Sequence, residues 1–185
     1  LEDNPAYLHF PGDGDECFYG EDIYVGYRYY DKKKMEVLFP FGHGLSYTRF
    51  AYTAIRADGD TVTVTVKNVG SRTGKEIVQL YASACPHPVT SGYVGESAFG
   101  FARPVHWLCG FDKIELAPGE EKAVVFPLCD RTFSVYDEKV KDYCRIGGDY
   151  EISAAASSRD IRLSAVIHAH EDPRFIPTVT KNTAL

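Results

Sequence analysis

At 185 residues, 44% hydrophobic and 14% aromatic, the chain can bury a core; this excludes a disordered polymer and leaves room for one domain with an extension. Its net charge of −6 carries no basic stripe, which leaves nucleic-acid binding without support, and no apolar run approaches the ~20 residues that a membrane-spanning helix needs. Tyr (13) and Phe (11) far outnumber Trp (1) and Met (1), a composition that leans toward β structure.

Residues 1–48 read as an extended arm. Pro11-Gly12-Asp13-Gly14-Asp15 is a turn, and the alternation of Ile23, Val25, Tyr27 and Tyr29 predicts a short strand. The basic run Lys32-Lys33-Lys34, flanked by Asp31 and Glu36, reads as a solvated turn. Pro40, Gly42 and Gly44 break any helix.

From Phe50 onward the text is β. A first strand begins at Phe50, Tyr52 and Ala54, and Asp58-Gly59 signals a hairpin. In Thr61-Val62-Thr63-Val64-Thr65-Val66 the valines face a core and the threonines face out. Asn68-Val69-Gly70-Ser71 turns into a strand over 76–84. Strands are predicted over 109–116, ending at Pro118-Gly119, and over 122–128, with a short one over 131–136. Strands over 149–156 and 161–169 make a final hairpin across Ser157-Ser158-Arg159-Asp160. Tyr150, just after Gly147-Gly148-Asp149, is either a tyrosine corner bonded back to nearby backbone or a half-buried strand residue. Seven or eight short strands with turn signals between them predict an all-β fold, an antiparallel sandwich of fibronectin type III or immunoglobulin type with an extended N-terminal arm. Two stretches break the pattern: a loop over 85–107 carrying Tyr93, Phe99, Phe101 and Trp107, and a tail over 171–185 with Pro173 and Pro177.

The run Phe39-Pro40-Phe41-Gly42-His43-Gly44-Leu45-Ser46-Tyr47-Thr48 resembles the segment that leads into the fibronectin type III-like domain of glycoside hydrolase family 3, the β-glucosidase family. Five phrases follow in that family's order: Thr63 through Gly70, Gly74-Lys75-Glu76-Ile77-Val78-Gln79-Leu80-Tyr81, Gly110-Phe111-Asp112-Lys113 with Leu116-Ala117-Pro118-Gly119-Glu120, Gly148-Asp149-Tyr150-Glu151-Ile152, and Ser157-Ser158-Arg159-Asp160-Ile161. The match covers roughly residues 18–165. The loop 85–107 is longer than the family's, His106-Trp107-Leu108-Cys109 replaces a charged pair before Gly-Phe, and Ala154-Ala155-Ala156 replaces Val-Gly. The resemblance implies a division into 1–48, the end of an α/β domain with its linker; 49–170, the sandwich; and 171–185, a tail whose Thr180–Leu185 resembles the start of a trailing segment in some members. It also implies that the reacting carboxylates of a sugar-cleaving enzyme lie in upstream catalytic domains, so that this chain is an inactive structural or accessory module, a fragment whose partners are those domains. A carbohydrate-binding or protein-interaction sandwich is the alternative.

Candidate site residues are therefore few. No catalytic residue, metal ligand or cofactor is expected. The only Trp is Trp107, and no Ser-Asp-Trp phrase of the family's nucleophile occurs. Trp107, Tyr93 and Phe101 are candidates for contact with carbohydrate or with a second copy in a homo-oligomer. Tyr24, Tyr27, Tyr29, Tyr30, Phe39 and Phe41 either stack on sugars or glue the arm to a neighbouring domain. His43, between two glycines, is an active-site group or a turn cap. His168 and His170 share one strand face and either hold a metal or sit in solvent. Cys17, Cys85, Cys109, Cys129 and Cys144 lack CxxC spacing and read as free thiols of a reducing, cytoplasmic setting. No signal peptide is visible, and the chain begins at Leu1 rather than Met.

Overall fold

Strand β2 (Thr61–Asn68) sets the frame. Val62, Val64 and Val66 alternate with threonines, and all three valines are fully buried. Burial of each such side chain contributes about 1.5–3 kcal/mol. The computed structural model describes residues 2–85 and 103–174. Among them β2 is the centre of a three-stranded antiparallel sheet, between β1 (Phe50–Asp58) and β5 (Glu121–Pro127). The β1–β2 hairpin turns at Gly59, whose φ of 55° suits glycine, and pairs Asp58 with Thr61.

The facing sheet has the order β4-β3-β8-β9, formed by β3 (Gly74–Ala84), β4 (Trp107–Leu116), β8 (Gly148–Ser157) and β9 (Asp160–Ala169). Val78, Leu80, Ala82, Ile152 and Ala154 meet the β2 valines, Val124 and Phe126 between the two sheets. A ribbon of β6 (Ser134–Asp137) and β7 (Asp142–Arg145) follows a 3₁₀ turn over Asp130–Phe133. The all-β sandwich is thus as the alternation predicts. Three details differ. The segment 131–136 divides between the 3₁₀ turn and β6, β4 begins two residues early at Trp107, and β7 lacks enough apolar alternation to announce itself.

The alternation at Ile23 to Tyr29 does not make a strand. Residues Tyr27–Lys33 form α1, entered at Gly26 (φ 59°) and closed at Lys34 (φ 53°). Tyr27 and Asp31 are one helical turn apart, so both reach the sandwich. Lys32, Lys33 and Lys34 are exposed as read, but the Asp31 side chain is only 7% exposed. It accepts from Arg159 Nε at 2.6 Å and lies 3.0 Å from His106 Nε2.

Two polar centres fix the chain. Asn68 is fully buried with every amide atom in use: Nδ2 donates to Arg72 O (2.7 Å) and Leu116 O (2.9 Å), and Oδ1 accepts from Thr48 Oγ1 (2.7 Å) and Gly70 N (3.0 Å). Tyr150 is a tyrosine corner: its hydroxyl donates to Ile146 O at 2.9 Å, and its ring lies 4.6 Å from that of Phe133.

The arm lies on the outer face of the four-stranded sheet. Gln79 Nε2 donates to Gly42 O (3.1 Å) and Ala156 O (2.9 Å), Ser158 N donates to Phe41 O (2.8 Å), and Tyr27 stacks on Phe41 at 4.6 Å. Gly42 has a φ of 80°, and a Cβ there would collide with the Gln79 amide.

Asn68→Leu keeps the volume but strands four hydrogen-bonding groups, so urea unfolding is expected to show a loss of about 3 kcal/mol. Gly42→Ala combines left-handed strain with the Gln79 collision. Amide hydrogen exchange is expected to rise over residues 27–45 while β2 stays protected; equal loosening of β2 and the arm counts against the anchor.

Candidate functional site

Where the linker leaves the arm and enters β1, it arches over the end of the sandwich and encloses a groove of about 690 Å³, open to solvent on one side. Gly42 through Phe50 form one wall, and side chains from β1, β3 and β9 form the floor. Tyr52 comes from β1, Glu76 from β3, and Asp160 and Arg162 from β9, so three strands of two sheets meet there.

The Tyr52 hydroxyl lies 3.0 Å from Glu76 Oε1 and 3.3 Å from Ala155 O, a link across the two sheets. Burial pushes the Glu76 carboxyl above the ordinary glutamate range; the Tyr52 hydrogen bond opposes the shift without cancelling it. Burial, then the Glu76 charge, likewise raises Tyr52. The Arg162 guanidinium sits 5.9 Å over the Tyr52 ring and donates to Asp160 at 2.7 Å. Chemically this is a partly buried carboxyl, hydrogen-bonded to a phenol, beside an ion pair. Glycoside hydrolysis needs two carboxyls free to act on either side of one bond. Here Asp160 accepts from Arg162 and Glu76 from Tyr52.

The residues singled out from sequence are placed as follows. Trp107 is half-buried at the start of β4. Its indole N–H donates to Thr132 O at 3.0 Å, its ring meets Tyr150 edge-on at 6.2 Å, and the Arg103 guanidinium lies 5.7 Å from it. Tyr93, Phe99 and Phe101 lie outside the described residues. His43 is exposed on the groove wall; its backbone N–H donates to Pro40 O at 3.0 Å, and its ring stacks on Phe39 at 5.2 Å. His168 and His170 point to solvent with rings 5.7 Å apart, and His168 Nδ1 lies 2.7 Å from Asp149 Oδ1. All five cysteines are free thiols. Among the described residues no three His, Cys, Asp or Glu side chains gather as a metal site.

The six arm aromatics do not all point at a neighbour. Tyr27 turns inward against Tyr81 (6.2 Å), Phe41 and His106 (6.1 Å), because α1 rotates it onto the sheet. Phe39 and Phe41 remain exposed, with Leu38, Leu45 and Tyr47 beside them. Sequence reasoning missed both the groove and the Asp31 contacts. The groove residues lie on different strands and share no spacing motif.

A model of the fibronectin type III-like domain matches residues 76–158. Thermostable beta-glucosidase B of Acetivibrio thermocellus is 42% identical over 193 residues, spanning 100% of this chain but 24% of that protein. Probable beta-glucosidase K of Emericella nidulans is 40% identical over 171 residues, spanning 92% of this chain and 19% of its own length. The crystal structure of the Bifidobacterium adolescentis GH3 beta-glucosidase superposes with a TM-score of 0.83 at 35% identity, over 98% of this chain and 26% of that one. The Kluyveromyces marxianus beta-glucosidase in complex with glucose gives 0.76 at 37%, over 92% and 20%. The chain thus spans about a quarter or less of the length of these relatives. The chain is a fibronectin type III-like module of the kind carried in the C-terminal part of glycoside hydrolase family 3 β-glucosidases, together with the segment that leads into it.

Proposed function

We propose that this chain is a non-catalytic structural module of a β-glucosidase-type hydrolase that releases terminal β-glucosyl residues, and that its arm is the surface that meets the catalytic domains. One observation carries the reading. Large apolar side chains left in solvent concentrate in residues 7–47, among them Leu8 (84% exposed), Phe10, Phe18, Leu38 (88%), Leu45 (93%) and Tyr47 (96%). A patch of this kind marks an interface. It lies on the segment leading into the sandwich, and relatives four to five times the length of this chain supply the protein mass to cover it. Residues 1–48 act on this reading as the linker, 49–170 as the supporting body and 171–185 as a tail. The packing around Trp107 supports a role in the sandwich body rather than in sugar contact.

The isolated chain is expected to give no turnover of an aryl β-glucoside above background; activity abolished by Glu76→Gln or Asp160→Asn overturns the reading. Leu38→Asp with Tyr47→Asp is expected to weaken association with the separately expressed catalytic part of such an enzyme at least tenfold, or about 1.4 kcal/mol, and to leave the melting temperature of the isolated chain unchanged.

The raised Glu76 carboxyl gives a pH signature. The folded state favours its protonated form, so the stability it lends is fully present below the unfolded glutamate pKa and is lost as pH rises through the folded value. Urea unfolding followed from acid to neutral pH is expected to show this decline in the native sequence and a flatter profile in Glu76→Gln. Parallel profiles refute the assignment.

A further inference from the structure

The groove under the linker is basic although the chain as a whole is acidic. Its lining sets the cations Arg49, Lys75, Lys113 and Arg162 against the carboxyls of Glu76 and Asp160, on a chain of net charge −6. Arg162 is paired with Asp160 at 2.7 Å and Lys75 with Glu115 at 3.2 Å. Among the described residues neither Arg49 nor Lys113 has an acidic partner. Burial raises the Glu76 carboxyl, which lessens the negative charge on the floor.

Beside these cations the sheet is apolar and open. On the outer face of the four-stranded sheet Lys113 is opposite Ile77, and Phe111 is opposite Gln79. The arm covers Gln79 and goes no further: Ile77 is 44% and Phe111 68% exposed. Adjacent strands lie about 4.8 Å apart, so Phe111 stands one strand over from the residue that holds Gly42. Phe41 on the arm, Leu45 over the groove, and Ile77 and Phe111 on the sheet thus make an apolar surface with the two unpaired cations at its edge. A small free anion satisfies the cations and leaves these side chains in water. A purely apolar partner takes water from the cations and gives nothing back. A protein face that carries carboxylates among apolar side chains avoids both costs, and its charges fix the register of docking.

Resting on the reading of this chain as a module docked by its arm, we infer that the contact with the rest of the polypeptide crosses from the arm onto the sandwich itself. Ile77 and Phe111 meet apolar side chains there, and Arg49 and Lys113 pair with carboxylates that the catalytic part brings to the groove.

The test is amine acetylation read by mass spectrometry, on the 185-residue chain and on the full-length polypeptide that carries it. Lys113 is expected to react at least about tenfold more slowly in the full-length polypeptide. Lys67, exposed on the outer face of the other sheet, is expected to react equally in both. A zero-length carbodiimide, which joins an amine to a carboxylate in direct contact, is expected to couple Lys113 of the full-length polypeptide to an Asp or Glu outside the 185 residues. Phe111→Asp is expected to return Lys113 to within about twofold of its rate in the isolated chain, and to leave the melting temperature of that chain unchanged. Arg49→Glu is expected to do the same. Equal Lys113 rates in the two proteins, cross-links confined to carboxylates of residues 1–185, or protection by inorganic phosphate with none from the longer polypeptide each overturn the inference. If Lys113 stays open while Leu38→Asp with Tyr47→Asp still weakens association, the interface ends at the arm; the module reading then stands and this extension of it falls.

Discussion

Strand β3 is buried on both faces. Val78, Leu80 and Ala82 enter the core between the sheets, while Gln79 and Tyr81 point the other way and are also shut off from water, at 4% and 0% exposure. A sandwich alone cannot do this, because the outer face of its sheet meets solvent. The arm is the missing layer. Tyr27 meets the Tyr81 ring edge-on and Phe41 stacks on Tyr27, and Gly42 brings a carbonyl to the Gln79 amide. Gln79 also accepts from the Tyr81 hydroxyl at 2.7 Å, so one buried amide ties sheet, arm and the end of β8 together. Were the arm to lift, Gln79 would exchange its bond to Gly42 for water and the Tyr81 ring would be uncovered, so the loss would be mainly of buried apolar area, at about 25 cal/mol per Å².

The same contact shapes the groove. Gly42 is pinned by Gln79, Thr48 is pinned by Asn68, and the linker between them has nothing beneath it but the ends of the strands. Its arch is therefore held at both feet and free in the middle, where Leu45 and Tyr47 stand in solvent. One tethered segment thus has ends that serve the fold and a span whose side chains take no part in it.

The sandwich was legible because its information is local. Period-two alternation in Thr61 to Val66 fixes a strand and its inner face, and Asp58-Gly59 and Pro118-Gly119 mark reversals that the structure makes with φ of 55° at Gly59 and 77° at Gly119. Tyr150 could be suspected as a corner because the glycines before it fix where the strand begins. The helix α1 was not legible. Its alternating aromatics imitate a strand, and what makes it a helix is a non-local fit, Tyr27 and Asp31 on one side reaching residues 81, 106 and 159. The groove was hidden for the same reason. Tyr52, Glu76, Asp160 and Arg162 become neighbours only through strand order and register, which one sequence does not spell out. Trp107 read as a loop residue because the glycines and prolines before it conceal the start of β4.

The buried Asp31 carries a consequence for how such a chain is made. Its partners, His106 and Arg159, lie 75 and 128 residues downstream. During synthesis the arm emerges before the sheet it covers, and that surface is not complete until the β8–β9 turn has left the ribosome. At about 5–20 residues per second that interval is roughly 6–26 s. Throughout it, Tyr27 and the Asp31 carboxylate lack the contacts to residues 81, 106 and 159 that the finished module gives them. Within this module the arm therefore settles after the sheet it covers, although it is translated before that sheet.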